Sequence, residues 1–434
     1  MRPASKSTSR GWVGSAAINL TVLFLLVGVV WLIRPLLPDI ELGPVQGFES
    51  KPGINGGLTL NDDGNVDFPD SLRSTLPLIQ ESGAGWVRIN FRLGSHYHDW
   101  TTKDSRGMSA IEYYDVLVQE ARAHGLKVLG LLSNESWPGT QAAWTANNAE
   151  YEGGNGDNAY LQAFSKRAAA VLVEHFQGQV DEWEIWDEPN VFATNDGGMP
   201  HGGTYMFPSN FAQLLRHVYE DTRAFRNVHI VSGGILASDS GLRSRQSAGQ
   251  YISETYRLGL SRANWEAVRA RYGSYPLDDI GVHVYVDQGK ATTSTKVKSF
   301  VEEIRSAYVA YEGPKTPKRL IITEFGWSTT MVSQQVQAEN LQTAYATFKS
   351  LPYIRNAFWS LAQDTASPDD EYGLQTAGTK ANSYQGVPKL GLDAYREAAS
   401  WQPPLEIFGL QLGSPAPMKY GGIDGPTGAG ATSG

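Results

Sequence analysis

The 434-residue chain contains no cysteine. That absence excludes a disulfide framework, thiolate metal clusters and a cysteine nucleophile, and leaves an oxidising compartment neither required nor forbidden. Charge is sparse at 19% of residues and positive charge sparser still, 36 Lys and Arg against 45 Asp and Glu, for a formal net charge of −9. A nucleic-acid backbone needs a concentrated basic surface, so no nucleic-acid partner is expected. H-E-x-x-H, G-x-S-x-G and a Walker loop are also missing, which removes the commonest metalloprotease, esterase and nucleotide-binding readings. No repeat with a period of about 20–50 residues is present.

Long hydrophobic runs are scarce too; there is one. Between Gly11 and Ile33 the chain carries no charge. About 22 helical residues make roughly 33 Å, enough to cross a hydrocarbon core of about 30 Å. Arg2, Lys6 and Arg10 precede the run and only Arg34 follows closely, which predicts a cytoplasmic basic segment over 1–10, a signal anchor over 11–33, and the remainder outside the cell membrane. A secreted protein with a cleaved signal peptide is the rival, but its apolar region would span only about 7–15 residues before a small-x-small site. Ile33-Arg34-Pro35-Leu36-Leu37-Pro38 offers no such site. A buried soluble helix is the weakest reading, because the run lacks a polar face. Residues 34–50 read as a linker, 51–412 as the folded domain, and 413–434, rich in Gly, Pro, Ser and Thr, as a flexible tail.

Within 51–412, short β-rich runs alternate with amphipathic stretches, the pattern of parallel strands joined by helical crossovers. Strands are expected at Gly53–Leu58, Trp86–Leu93, Lys127–Leu132, Val180–Trp186, Val228–Ile235, Ile280–Val286, Arg319–Glu324 and Arg355–Leu361. Helices are expected at Ser71–Ser82, Ile111–Ala123, Tyr160–Phe176, Phe211–Phe225, Gly249–Leu258 with Ala263–Arg271, Val297–Tyr311, Gln334–Lys349 and Leu392–Ala399. Eight such units predict an α/β fold, a (β/α)8 TIM barrel, preceded by one N-terminal transmembrane helix. A doubly wound open sheet is the alternative, but no G-x-G-x-x-G follows the first strand, and Gly53-Ile54-Asn55-Gly56-Gly57 opens no helix.

The fourth strand closes as Val180-Asp181-Glu182-Trp183-Glu184-Ile185-Trp186-Asp187-Glu188-Pro189-Asn190. So many carboxylates would make a poor core strand, since an unpaired buried carboxylate costs several kcal/mol. Pro189 ends the ladder and leaves Glu188 at the C-terminal tip, where barrels of this kind keep catalytic groups. Three strands later Leu320-Ile321-Ile322-Thr323-Glu324-Phe325-Gly326-Trp327 stops at another carboxylate. Strands four and seven oppose each other across an eight-stranded ring. A carboxyl pair about 5–5.5 Å apart is the geometry of retaining glycoside hydrolysis, with one acid/base and one nucleophile. Either glutamate alone reads equally as a structural ion pair or a loop cap.

Trp186-Asp187-Glu188-Pro189-Asn190 resembles the W-N-E-P-N of clan A of the retaining glycoside hydrolases, the cellulase-like barrels such as families 5 and 39, and Thr323-Glu324-Phe325-Gly326-Trp327 resembles that clan's strand seven. The resemblance runs along nearly the whole barrel. It implies Glu188 as general acid/base and Glu324 as nucleophile, with no cofactor, and a β-linked glycan as substrate. By the same resemblance His283 and Tyr285 form the H-x-Y of strand six, on one face by their two-residue spacing, with Tyr285 bonding the nucleophile. Arg88 resembles the strand-two arginine that keeps the nucleophile ionised, and Trp359 the strand-eight indole that floors the sugar site. Trp327 follows the nucleophile and is carried along as a substrate-binding residue, and Asn134 falls near the mouth with no defined role.

One position departs from the pattern. Asp187 stands where the clan has the Asn that donates to the sugar 2-hydroxyl, and an ionised Asp only accepts. A carboxylate beside Glu188 would keep Glu188 protonated to higher pH, which suits a general acid. The 12 Trp and 20 Tyr supply either a large core or stacking faces for sugar rings; Trp100, Trp137, Trp144, Tyr151, Tyr205, His96, His98 and His201 lie in loops that would line a cleft or pack on themselves. His96 and His98 with Asp99, and His201, look like metal ligands but lack a partner set, and no metal is expected. A non-catalytic carbohydrate-binding barrel and an envelope-polysaccharide transglycosylase are the competing functions. The first would have no use for the Glu188–Glu324 pair, and the second differs only in the acceptor.

Overall fold

The computed structural model describes residues 47–49, 51–58, 68–145, 155–191, 204–239, 246–365, 371–378, 386–400, 405–407 and 410–412. Eight parallel strands close into a barrel in sequence order. They are β1 (Gly53–Leu58), β2 (Trp86–Asn90), β3 (Lys127–Leu132), β4 (Glu182–Asp187), β5 (Ile230–Ser238), β6 (Asp279–Tyr285), β7 (Leu320–Phe325) and β8 (Ile354–Trp359). Closure is made by β8 pairing with β1, Gly53 opposite Phe358 and Ile54 opposite Trp359. The (β/α)8 barrel expected from the sequence is the fold observed.

Crossover helices run over Phe68–Glu81, Ala110–Ala123, Pro208–Thr222, Ala248–Arg262, Ser294–Glu312, Gln334–Lys349 and Leu390–Ser400. Ser109 and Ser247 each open their helix with a reciprocal capping box, and Ser333 and Thr293 cap theirs singly, satisfying amides that have no intrahelical partner. The stretch expected as one helix at Tyr160–Phe176 is wound in three consecutive pieces, Ala159–Phe164, Ser165–Ala169 and Ala170–His175, the middle one a π turn. Hydrophobic periodicity does not encode such a turn, which inserts a residue without breaking the helix.

Two layers of apolar side chains result. Inside the barrel, Trp86, Leu129, Val231, Ile321 and Phe358 fill the base. Between strands and helices lies the larger core, in which Ile54, Val87, Val128, Ile185, Ile280, Ile322 and Ala357 are fully buried.

Among the described residues no helix is long and apolar enough to cross a membrane. The span expected at 11–33, with its flanking segments at 1–10 and most of 34–50, lies outside the described residues, as does the tail at 413–434.

Candidate active site

Strand β4 builds the site by breaking its own alternation. Glu182 and Glu184 share one face, toward the barrel axis, and period two would send Trp186 inward and Asp187 outward. Trp186 instead adopts φ 77, a left-handed conformation that a bulky side chain takes only at a cost. The indole turns out against Trp144 at 5.1 Å and Phe164 at 5.6 Å and donates to the carbonyl of Thr204 at 2.7 Å. Asp187 is thereby turned in, and its Oδ1 accepts from Arg88 Nη2 at 2.8 Å. Gly233 on β5 makes room for this turn of the β4 backbone, since a Cβ there would sit 2.4 Å from the Trp186 carbonyl oxygen. Glu188 follows at φ 42. Asn190 then ties the turn to β5, donating to the Leu236 carbonyl at 2.9 Å and accepting from its amide at 2.8 Å.

Across the mouth, Glu324 ends β7. Its Oε2 accepts from Asn55 Nδ2 at 2.9 Å and Arg88 Nη1 at 3.1 Å, and its Oε1 accepts from the Tyr285 hydroxyl. Asn55 comes from β1 and gave no signal in the sequence beyond being a polar residue in a glycine-rich strand. Burial first, and then the Glu324 charge, push the Tyr285 phenol well above its ordinary value, so it remains a donor.

Arg88 and His283 lie beneath the carboxyls. Their side chains are 4% and 1% exposed, whereas Asp187, Glu188 and Glu324 are 31, 26 and 21% exposed, so the acids face solvent and the cations support them. Arg88 Nε donates to the fully buried Glu184 at 2.6 Å, and Glu184 also accepts from Thr323 at 2.8 Å. Glu184 was not singled out from the sequence; its place two residues into a carboxylate-rich strand was the available signal. The guanidinium therefore meets Glu184, Asp187 and Glu324 together. Burial opposes its charge, but those three carboxylates outweigh burial and raise its pKa further.

His283 Nδ1 lies 2.9 Å from Glu188 Oε1, and its Nε2 3.4 Å from Arg88 Nη2. Gly234 leaves room for the ring, since a Cβ there would fall 2.1 Å from Nε2. Burial works against the imidazolium, yet Glu324 and Glu188 prevail and raise its pKa to about 9. The Glu188 carboxyl is itself raised, by burial first, with His283 pulling it down and Asp187 and Glu324 pushing it up. Glu188, His283, Arg88 and Glu324 thus stand in contact one after the next, the His283–Arg88 step being an approach of two donors and the outer two steps hydrogen bonds. Glu188, with its raised pKa, is placed to give a proton, and Glu324 is held in place by three donors, the division of labour that acid/base and nucleophile require.

Other sequence candidates fall elsewhere. Trp359 has no exposed surface; its Nε1 donates to the Tyr372 carbonyl at 2.9 Å and its ring packs on Phe325 and Trp327. The expectation that it floors the sugar site is corrected, because a covered indole has no face to offer. Trp327 is also fully buried, its Nε1 on the Val286 carbonyl at 2.8 Å, and supports strand ends rather than substrate. Asn134 is half-buried in the turn after β3, and Arg88 alone of the strand-two and strand-three candidates reaches the carboxyls. Trp100, Trp144 and Tyr205 are buried, with Trp100 on the Ser136 carbonyl and Trp144 on the Tyr205 carbonyl, so these aromatics pack their own loops. His96 and His98 are exposed, and Tyr151 and His201 lie outside the described residues.

A further aromatic beside the site is Tyr372, for which the sequence carries no signal. Its ring meets Tyr285 edge-on at 5.8 Å and its hydroxyl lies 3.3 Å from Gln288 Oε1. Lys389 holds this segment: its buried ammonium pairs with Asp364 at 2.7 Å, meets Thr329 at 2.9 Å, and donates to the Glu371 carbonyl at 3.1 Å. Among the described residues no group of three or more His, Asp or Glu side chains is arranged to hold a metal ion.

No family model matches the sequence, and no curated protein matches it. The fold does have solved neighbours. A family 39 glycoside hydrolase from Bacteroides cellulosilyticus WH2 superposes with a TM-score of 0.51 at 17% identity over 81% of this chain, which spans 64% of that protein's length. A GH5_18 protein from Streptomyces cattleya, solved with Manβ1-4GlcNAc, gives 0.53 at 16% identity over 80% of each chain. A GH5-4 broad specificity endoglucanase from Clostridium longisporum gives 0.53 at 14% identity over 82% of this chain and 97% of that one. The families that the sequence motifs resemble are thus the families whose fold it shares.

Proposed function

We propose that this chain is a retaining glycoside hydrolase acting on β-linked glycans, held on the outer face of the cell membrane by its N-terminal helix. The observation that carries the reading is the convergence of Glu188 and Glu324 on one His283–Arg88 support at the tips of β4 and β7. Glu324 attacks the anomeric carbon while Glu188 protonates the leaving oxygen. Glu188 then takes a proton from water as that water attacks the glycosyl ester of Glu324. Tyr285, Asn55 and Arg88 orient the attacking carboxylate. The tether is supported by the uncharged run from Gly11 to Ile33 and the basic residues before it.

The test is release of reducing ends from β-glucans, mannans, xylans and arabinogalactans by the detergent-solubilised full chain. Beside it run Glu188→Ala, expected to lose about 10²–10⁴-fold on unactivated substrates, and Glu324→Ala, expected to lose turnover altogether. Near wild-type rates in Glu324→Ala would sink the assignment. Carbonate washing of membranes tests the tether: the full-length chain should stay with the membrane pellet, and its release would refute an integral span.

A further inference from the structure

Acid/base chemistry needs one carboxyl at the tip of β4, and this strand presents two. We propose that Asp187 selects the sugar bound at the reacting position, and that it favours a 2-amino-2-deoxy glycoside whose C2 amine is free and protonated. The inference rests on the glycosidase reading of Glu188 and Glu324 and deepens it.

Position comes first. Arg88 holds Glu324 Oε2 with Nη1 and Asp187 Oδ1 with Nη2, the two ends of one planar fork. A carbon attacked by Glu324 has one of its two ring neighbours, C2 or the ring oxygen, beside Asp187, on the flank away from the Tyr285 hydroxyl, and since the ring oxygen and Asp187 both only accept, it is the C2 substituent that can meet Asp187. The positive φ at Trp186 turns this side chain inward, and the site bears the cost of a left-handed tryptophan for it.

Chemistry comes next. With Arg88 on Oδ1, Asp187 acts as an acceptor, and its Oδ2 takes no partner among the described residues. The group that meets it must donate. A hydroxyl donates once; an ammonium donates up to three times and adds charge, which makes the bond about twice as strong. An acetamido N–H donates but brings no charge and adds bulk.

The charge balance selects between these donors. Two basic side chains, Arg88 and His283, stand among four carboxyl groups, Glu184, Asp187, Glu188 and Glu324, so the acids gathered here outnumber the bases. The guanidinium that would repel an ammonium is already shared among three carboxylates. A cationic C2 substituent completes the balance, whereas a neutral sugar leaves it open and an anionic one worsens it.

The experiment measures binding of the methyl β-glycosides of glucosamine and galactosamine to the full chain by titration calorimetry near pH 6, beside the parent methyl glucoside and galactoside and the N-acetyl forms. Methyl glycosides probe the reacting position whatever linkage the polymer has. At least one amine should bind about tenfold or more tighter than its hydroxyl parent. The preference should fade as pH rises and the sugar amine loses its proton, and should vanish in Asp187→Asn. Equal binding of amine and hydroxyl forms, a preference for the N-acetyl forms, no binding of either amine, or a preference surviving in folded Asp187→Asn overturns the proposal. The wild-type ratio and its pH dependence decide the matter even if the variant fails to fold. Should the amine preference hold while no glycan is cleaved, the hydrolase reading falls and this one stands; should Glu188-dependent cleavage occur without the preference, the reverse follows.

Discussion

At the residue scale the proton on Glu188 is governed by burial and by three neighbours, one basic and two acidic. Burial raises its pKa, His283 lowers it, and Asp187 and Glu324 raise it. A general acid must hold its proton, so the alkaline limb of kcat/KM follows loss of that proton from the free enzyme. Removing the imidazolium in His283→Gln takes away the lowering influence, and the limb should move to higher pH while kcat/KM itself falls about 10²-fold as Glu188 loses its orienting partner. Neutralising the neighbour in Asp187→Asn takes away a raising influence, and the limb should move to lower pH. A pH series of kcat/KM on one aryl glycoside reads both, and movement in the same direction would refute the assignment of Glu188 as the titrating acid.

At the element scale, one buried ammonium ties together the described residues between β8 and the helix Leu390–Ser400. Lys389 joins Asp364, Thr329 and the Glu371 carbonyl, and Asp364 Oδ1 also accepts the Gly373 amide at 2.7 Å. Lys389→Met leaves the Asp364 carboxylate buried without its cation, which costs about 3–5 kcal/mol. Because the segment carries Tyr372 against Tyr285, thermal melting should fall and KM should rise together; a fall in melting temperature with KM unchanged would separate Tyr372 from the substrate.

The same scale shows what was legible beforehand. All eight strands were found, because buried parallel strands read as short apolar runs between turn signals, and the Lys127–Leu132 and Gln334–Lys349 bounds coincide with the observed ones. The β5 strand runs on to Ser238 rather than stopping at Ile235, since a bulge at Gly233 and Gly234, opposite Gly281, lets pairing with β6 resume at Ile235. Glu188 and Glu324 are legible because a strand tip is a sequence property, whereas Arg88, His283 and Tyr285 come from the resemblance of their motifs to clan A. Asn55 and Tyr372 are legible in neither way: one enters through barrel closure, the other through a tertiary clamp. Trp359 misled because a motif gives a residue's strand position and says nothing of what is packed over it.

At the scale of the whole molecule, the barrel carries a charged network at each end, and the two should be separable by mutation. At the N-terminal strand ends Arg355 meets Glu182 through both Nη atoms and Asp279 at 2.9 Å, and His229 meets Asp279 at 3.0 Å. This end lies away from Glu188 and Glu324, where a barrel's conserved charge serves stability. Arg355→Met strands two buried carboxylates and should cost about 3–5 kcal/mol, lowering the melting temperature with kcat/KM intact. The sign with pH follows from Asp279, where burial is outweighed by the His229 hydrogen bond and the Arg355 charge, so that its pKa lies below the ordinary value. A depressed carboxylate contributes stability at pH above its ordinary value of 3.8 and loses it as pH falls through the lower folded-state value. The gap between wild type and Arg355→Met should therefore be full at neutral pH and narrow in acid below 3.8, as measured by thermal melts across the range. A gap that widened in acid, or a change in kcat/KM at the distant mouth, would show that the base of the barrel is coupled to the site rather than a foundation beneath it.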